Sequence, residues 1–301
     1  MAERVLVAAP AKVNLRLKVL ARNDDGFHFL ESVFCALSLA DEVEIRRGAA
    51  GVALKVEGED TGPAGKNLAV LAARAFYRKV GREPSVGVRL AKRVPASAGL
   101  GGGSSNAAAV LRGLNELEGW PLAPESLARV GGALGSDVPF FLCGSPLALG
   151  WGRGDRLLPL PPLPPRPVLV VKPEATISTA RAYTRLAASR AGDPVPSAGI
   201  IPARALGSWE GVSSLSENDF EPVAAEEFPE IGEVLRRLRE AGAGIARLAG
   251  SGSACFGVFE SRQRRDAAAG SFARGEPLRV WKAETLANFS APRIDGTPSC
   301  G

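Results

Sequence analysis

Apolar and polar residues alternate with a period of two near the start of the chain. Val13, Leu15, Leu17 and Val19 are interleaved with Asn14, Arg16 and Lys18, which predicts a strand with one buried face. A short apolar run from Val5 to Ala9 precedes it. The two are separated by Ala9-Pro10-Ala11-Lys12, where proline in a strand pattern marks a bulge or an edge. Asn23-Asp24-Asp25-Gly26 is a turn signal, and strands are predicted through Val43 and Ile45 and through Leu54 and Val56. At Asn67 the period changes: Leu68, Leu71, Ala72, Ala75 and Phe76 share one helical face over 67–80, with Asn67 suited to cap it. Val86, Val88, Leu90 and Val94 return to strand and lead directly into a glycine-rich loop. Helices are predicted over 106–117 and 124–134. Further on come a strand over 168–171, a helix over 179–188, a loop-like stretch over 192–207 and a helical pattern over 222–241. A Gly/Ser-rich turn followed by an apolar strand is predicted over 248–259, and 286–301 has no periodicity.

The prolines over 159–167 favour an extended, semi-rigid connector between two halves. The expected organisation is a first domain over 1–158, a linker over 159–166, a second domain over 167–288 and a tail over 289–301. A length of 301 residues accommodates one large domain or two ordinary ones. With 46% hydrophobic and 23% charged residues, disordered and fibrous classes are excluded. The excess of 37 basic over 32 acidic residues suits an anionic small molecule and equally a mildly basic surface. The densest basic run, Arg262-Gln263-Arg264-Arg265, is too short for a nucleic-acid stripe. Cys35, Cys143, Cys255 and Cys300 form no CxxC pair and read as small hydrophobes in a reducing compartment. His28 is the single histidine, so a metal cluster would depend on carboxylates, and no protein metal site is expected. With no signal peptide pattern and no run of about 18 apolar residues, the expected address is the cytoplasm, without a membrane partner.

The strongest chemistry lies in Pro95-Ala96-Ser97-Ala98-Gly99-Leu100-Gly101-Gly102-Gly103-Ser104-Ser105, between a predicted strand and a predicted helix. Glycines let the backbone approach a ligand closely, consecutive amides can then point at phosphate oxygens, and the following helix adds positive partial charge. One of the two serines is expected to cap the helix and the other to reach a phosphate or Mg²⁺. The loop lacks the Gly-Lys-Ser/Thr ending of a Walker P-loop, and Ser104 stands where a dinucleotide fingerprint needs its third glycine.

This loop, continued by Asn106-Ala107, resembles the ATP-binding motif of the GHMP kinases. Pro10-Ala11-Lys12-Val13-Asn14-Leu15 and Leu248-Ala249-Gly250-Ser251-Gly252-Ser253-Ala254-Cys255-Phe256 match the family's other motifs in the expected order. Asp25-Gly26-Phe27-His28, Gly135-Ser136-Asp137-Val138-Pro139-Phe140-Phe141 and Asn218-Asp219-Phe220-Glu221 point to the branch acting on a cytidine-diphosphate-linked methylerythritol of the non-mevalonate isoprenoid route. The resemblance reaches about residue 288. Phe27 stands where the branch usually has Tyr, and Ser251 where Thr is also common.

The resemblance implies an α+β protein with a ribosomal protein S5 domain 2-like N-terminal domain, a ferredoxin-like C-terminal domain, and an active site between them. It implies ATP as phosphoryl donor, Mg²⁺ carried by the nucleotide, a small-molecule cytidine diphosphate acceptor and a monomer or homodimer. Asp137 is then the expected general base and Lys12 the cation that orients it and neutralises developing charge. From spacing alone, Asp137 reads as a turn cap and Lys12 as a surface lysine. Phe27 and His28 are implied to bind the cytosine, and Asn14 the polyol or diphosphate. Thr179 is a substrate contact or a helix cap. Gly250, Ser251 and Gly252 form a second turn abutting the phosphates or merely packing tightly. Asn218 to Glu221 reads as a structural helix start. Two other readings remain: a GHMP kinase of mevalonate or homoserine type, and a nucleotide-binding module without catalysis.

Overall fold

The computed structural model describes residues 3–22, 28–48, 50–191, 201–272 and 277–294, with the side chains of 21, 22 and 28 left aside. The first unit contains β1 (Arg4–Arg22), β2 (His28–Arg47), β3 (Gly51–Glu57), α1 (Leu68–Val80), β4 (Ser85–Ala91), α2 (Gly102–Leu117), α3 (Pro124–Gly132), β5 (Leu147–Gly152) and β6 (Arg156–Pro159). The second contains β7 (Pro167–Pro173), α4 (Thr179–Ser189), α5 (Trp209–Leu215), α6 (Glu221–Glu227), α7 (Pro229–Glu240), β8 (Ile245–Leu248), β9 (Cys255–Val258), α8 (Arg262–Ser271) and β10 (Leu278–Glu284). A last short strand, β11 (Arg293–Ile294), returns to pair with β1.

The first sheet runs β11-β1-β2-β4-β3, with β5 and β6 continuing from the other half of β2. Only the β3–β4 pair is parallel. The two apolar runs expected as separate strands are one strand, β1, interrupted where its pairing with β2 slips between Pro10 and Lys12. That irregularity has a consequence for the site. Before it, Val5, Val7 and Ala9 face the helices and pack with Ile45, Phe76 and Leu111. After it, Ala11, Val13 and Leu15 belong instead to the core shared with the second unit. Lys12 and Asn14, paired opposite Ala36 and Phe34, thereby turn to the helix side. A bulge re-aims side chains in just this way.

The second sheet, β10-β7-β9-β8, is antiparallel throughout. One of its faces packs Val168, Val170 and Phe256 against the first sheet. The other packs Leu169 and Val171 against Ile231, Val234 and Leu238 of α7. The two units therefore share a buried apolar core. The helical pattern expected over 222–241 is two helices, because Pro229 opens α7 and cannot continue α6. Part of the unpatterned C-terminal stretch is anchored: Leu286 N–H donates to Ala36 O at 3.0 Å, and Phe289 lies edge-on to Phe140 with ring centroids 6.0 Å apart. Packing on a preformed surface leaves no periodic signature in so short a segment.

Candidate active site

The glycine loop leaves β4 over a buried polar cluster. Asp41, 1% exposed, accepts from the backbone N–H of Arg93 at 2.7 Å and of Val94 at 2.8 Å through Oδ1. Its Oδ2 takes the Lys92 ammonium and the Asn106 amide, the latter at 2.8 Å. A carboxylate buried this deeply is tolerated because every lone pair is used. The turn that follows places Gly99 and Gly101 at φ +76° and +69°. A Cβ on Gly99 would lie 1.8 Å from Ala249 O, and one on Gly101 would lie 2.9 Å from Lys12 Cγ. Here glycine permits close approach of two other parts of the chain.

α2 begins at Gly102, four residues before the predicted start, with Gly101 as its cap. Neither Ser104 nor Ser105 caps it, contrary to expectation, because both already lie inside the first turns. The amides of the first turn have no acceptor within the helix, so they and the helix dipole are available to an anion. They face a cleft of about 350 Å³ lined by Pro95 to Ser104 together with Asn67, Lys92 and Asn106. Ser104 lines this cleft, whereas the Ser105 hydroxyl is buried among protein atoms with no hydrogen-bond partner.

On the other side of the loop lies a larger cleft of about 1030 Å³, and Gly99, Gly101 and Ser104 line both. The glycine loop is thus the wall between a nucleotide-sized pocket and an acceptor-sized one. At that wall the Lys12 ammonium, only 4% exposed with its residue, donates to Asn14 Oδ1 at 2.8 Å and pairs with Asp137 Oδ2 at 3.3 Å. Asn14 is oriented in turn by donating to Ser32 Oγ at 2.7 Å, and Ser32 donates to Arg16 O at 2.8 Å. Asp137 stands between α3 and a 3₁₀ turn over Pro139–Leu142, where Val138 and Phe140 are fully buried. Those apolar neighbours fix the carboxylate at the cleft rim, with its side chain 30% exposed.

The second unit contributes the facing wall. Ser178, not Thr179, caps α4, accepting from Arg181 N–H. Thr179 Oγ1 instead lies 3.3 Å from Ser251 Oγ, and both line the larger cleft. Gly250 approaches the loop so closely that a Cβ there would sit 3.1 Å from Gly99 O and 3.5 Å from Lys12 Nζ. The second turn therefore packs tightly and also faces the site. Gly252 packs against Ile177 and Leu248 rather than lining the cleft.

Sequence reasoning missed Lys92, Asp41, Phe34, Tyr183, Arg153 and Asp155, of which the last four line the acceptor cleft. Tyr183 stands edge-on to Phe220 with centroids 5.0 Å apart. Burial, and secondarily the Asp137 charge, push its phenol up to about 12, so it faces the cleft neutral. A buried acid at Asp41, within an otherwise strand-like stretch, was the one available signal. Phe27 lies outside the described residues. His28 opens β2, and its side chain is likewise outside them.

Family comparison agrees with this geometry. Residues 67–145 match the model for the GHMP kinases N terminal domain, and residues 201–276 the model for GHMP kinases C terminal. A 4-diphosphocytidyl-2-C-methyl-D-erythritol kinase of Geobacter sp. (strain M21) is 40% identical over 287 residues, covering 94% of this chain and 99% of the relative. The chain belongs to the 4-diphosphocytidyl-2-C-methyl-D-erythritol kinase family of the GHMP kinases. A relative of the same name from Moorella thermoacetica is 41% identical over 83% of this chain and 88% of its own. A solved 4-(cytidine 5'-diphospho)-2C-methyl-D-erythritol kinase superposes with TM-score 0.77 at 35% identity, over 93% of this chain and 98% of that one. A homoserine kinase from Cytophaga hutchinsonii shares the fold, with TM-score 0.70 at 19% identity over 98% of both chains. Within the family, ATP is the phosphoryl donor, which fits the pocket in front of α2.

Proposed function

We propose that this protein transfers the γ-phosphoryl group of ATP to a hydroxyl of 4-(cytidine 5'-diphospho)-2-C-methyl-D-erythritol in the non-mevalonate route to isoprenoid precursors. The observation that carries the reading is the Lys12–Asp137 pair at the wall shared by the two clefts. Phosphoryl transfer needs positioning, charge neutralisation and removal of one proton from the acceptor. On this reading the amides of Gly101 to Ser104 hold the triphosphate and the acceptor hydroxyl lies against Asp137. The carboxylate takes the hydroxyl proton as the oxygen bonds to the γ-phosphorus, and the bond to the ADP oxygen breaks. Lys12 stays charged throughout, holds Asp137 in place and offsets charge that builds on the transferring group. Asn14 and Thr179 contact the polyol or diphosphate, and Phe27 with His28 reads the cytosine.

Mg²⁺ would arrive on the nucleotide. Among the described residues no group of three His, Cys, Asp or Glu side chains forms a cage. Ser104 and Asp137 are among the oxygen donors that line the larger cleft, a set that suits an ion coordinated mainly by phosphates and water. The ion would neutralise charge on the phosphates.

For the architecture we infer an S5 domain 2-like first domain and a ferredoxin-like second one, with boundaries near residues 158 and 167. The second inference is supported by the strand order β10-β7-β9-β8, which numbers as 4-1-3-2 within that unit. The protein is read as a cytoplasmic monomer or homodimer. Among the described residues no helix is long and apolar enough to cross a membrane.

The test is ADP release with ATP and each of three acceptors: the cytidine diphosphate compound, mevalonate and homoserine. Turnover confined to the first is expected. Turnover with another acceptor alone moves the protein within the superfamily, and nucleotide binding without any turnover supports the non-catalytic alternative.

A further inference from the structure

The segment Asn218-Asp219-Phe220-Glu221 lies outside the chemistry assigned above, yet its contacts converge on it. Asn218 is 5% exposed, and its carboxamide is fully used. Nδ2 donates to Leu248 O and to Gly250 O, both at 2.8 Å, while Oδ1 accepts from Phe220 N–H at 2.9 Å. Its backbone is locked to the first unit. Leu17 N–H donates to Glu217 O at 2.8 Å, and Asp219 N–H donates to Leu17 O at 3.0 Å. Leu17 is three residues beyond Asn14 on β1, the strand that also carries Lys12.

Through its side chain on the turn and the flanking backbone on β1, this residue therefore bridges two components of the site that come from different units. On one side is the strand bearing Lys12 and Asn14. On the other is the Gly250–Ser251 turn, which approaches Lys12 Nζ and meets Thr179 through Ser251. No residue of this turn lines the nucleotide cleft in front of α2.

We propose that Asn218 is a positioning residue that sets the height of the Gly250–Ser251 turn over the Lys12–Asp137 pair. It touches neither nucleotide nor acceptor. Its two N–H groups hold the Leu248 and Gly250 carbonyls, at the end of β8 and in the turn on either side of Ala249, against a strand that is itself rigidly paired. Loss of those donors lets the turn move away from the reacting groups while the triphosphate grip stays intact. A misplacement on the order of 1 Å at a reaction centre costs about 10²-fold in rate. This inference rests on the kinase reading.

The test compares Asn218→Ala and Asn218→Asp with Asn115→Ala. Asn115 is the matched control: it is 2% exposed, and its carboxamide also clips a turn, exchanging hydrogen bonds of 3.0 Å with Leu122 O and Leu122 N–H at the far end of α2. Both Asn218 variants are expected to lose about 10- to 10²-fold in kcat with KM for ATP within about threefold of wild type. Amide exchange over 249–253 should quicken while exchange in α2 is unchanged. Asn218→Asp should recover part of its kcat relative to wild type as pH is lowered, because a protonated carboxyl regains one donor. Asn115→Ala should lower Tm and leave kcat within about twofold. Wild-type kcat in the Asn218 variants overturns the proposal. So does a loss shared in proportion by kcat, KM for ATP and the control, and so does failure of both Asn218 variants to fold. If wild type itself turns over no acceptor, the kinase reading falls, and the exchange of 249–253 still decides whether Asn218 holds the turn.

Discussion

The two clefts that meet at the glycine loop are built in opposite ways. The nucleotide side is nearly continuous in sequence: Lys92, the turn from Pro95 to Gly101 and the first turns of α2 follow one another, with Asp41 and Asn67 as the main distant additions. The acceptor side draws Lys12 and Asn14 from β1, Asp137 from the loop after α3, Thr179 and Tyr183 from α4, and Gly250 and Ser251 from the turn after β8. The difference follows from what each side must grip. Phosphate oxygens are held by backbone amides, which any short stretch with the right dihedrals supplies. An alcohol that must lose a proton needs particular side chains at particular points, and only packing between units brings those together.

If that contrast is sound, single side chains should be decisive on the acceptor side and dispensable for nucleotide affinity. Asp137→Asn is expected to cut kcat by about 10² to 10⁴ with ATP affinity unchanged. Steady-state kinetics beside calorimetric ATP binding checks both halves, and wild-type turnover removes Asp137 from the role of base. The nucleotide side should instead fail through its scaffold. Asp41→Ala leaves the Lys92 ammonium buried without its carboxylate, at about 3–5 kcal/mol of stability. Denaturant unfolding should show that loss, together with weaker ATP binding.

Gly99→Ala probes the shared wall. The added methyl meets Ala249 O in a left-handed backbone region, and the combined cost is about 2–4 kcal/mol. Both ATP binding and turnover should fall, whereas an effect on one alone would separate the two sides more sharply than the geometry does. The smallest effect is expected at Glu221, which accepts from Leu248 N–H behind the second turn. Burial pushes its carboxyl up from 4.5, opposed by that hydrogen bond and by Arg247 and Arg239. A raised folded-state value means stability present below the unfolded value and lost as pH rises. Wild type should therefore lose stability relative to Glu221→Gln as pH rises above 4.5, read as Tm at each pH. A parallel pH dependence for the two proteins would count against this.

Legibility in the sequence followed the same division. The glycine loop was readable because a strand, a glycine cluster and a helix leave a local signature, although α2 starts earlier than its apolar period. Packing of Gly102 and Gly103 into the first turn overrides their weak helix propensity. Lys12 and Asp137 have no such signature. By spacing they read as a surface lysine and a turn cap, and only the motif resemblance favoured chemistry. Asn218 read as a helix start because the carbonyls it holds are 30 and 32 residues away.

By itself the sequence determined the strand–glycine loop–helix unit over 86–117, many of the other strands and helices, and the family, since periodicity, turn chemistry and motif spacing are properties of neighbouring residues. Tertiary structure alone decided that an irregularity at Pro10–Lys12 turns Lys12 and Asn14 to the helix side, that Asp41 anchors the loop from below, and that the second unit closes the acceptor cleft. Those features depend on which faces pack together, and burial of apolar surface between distant segments sets that only when the whole chain has folded.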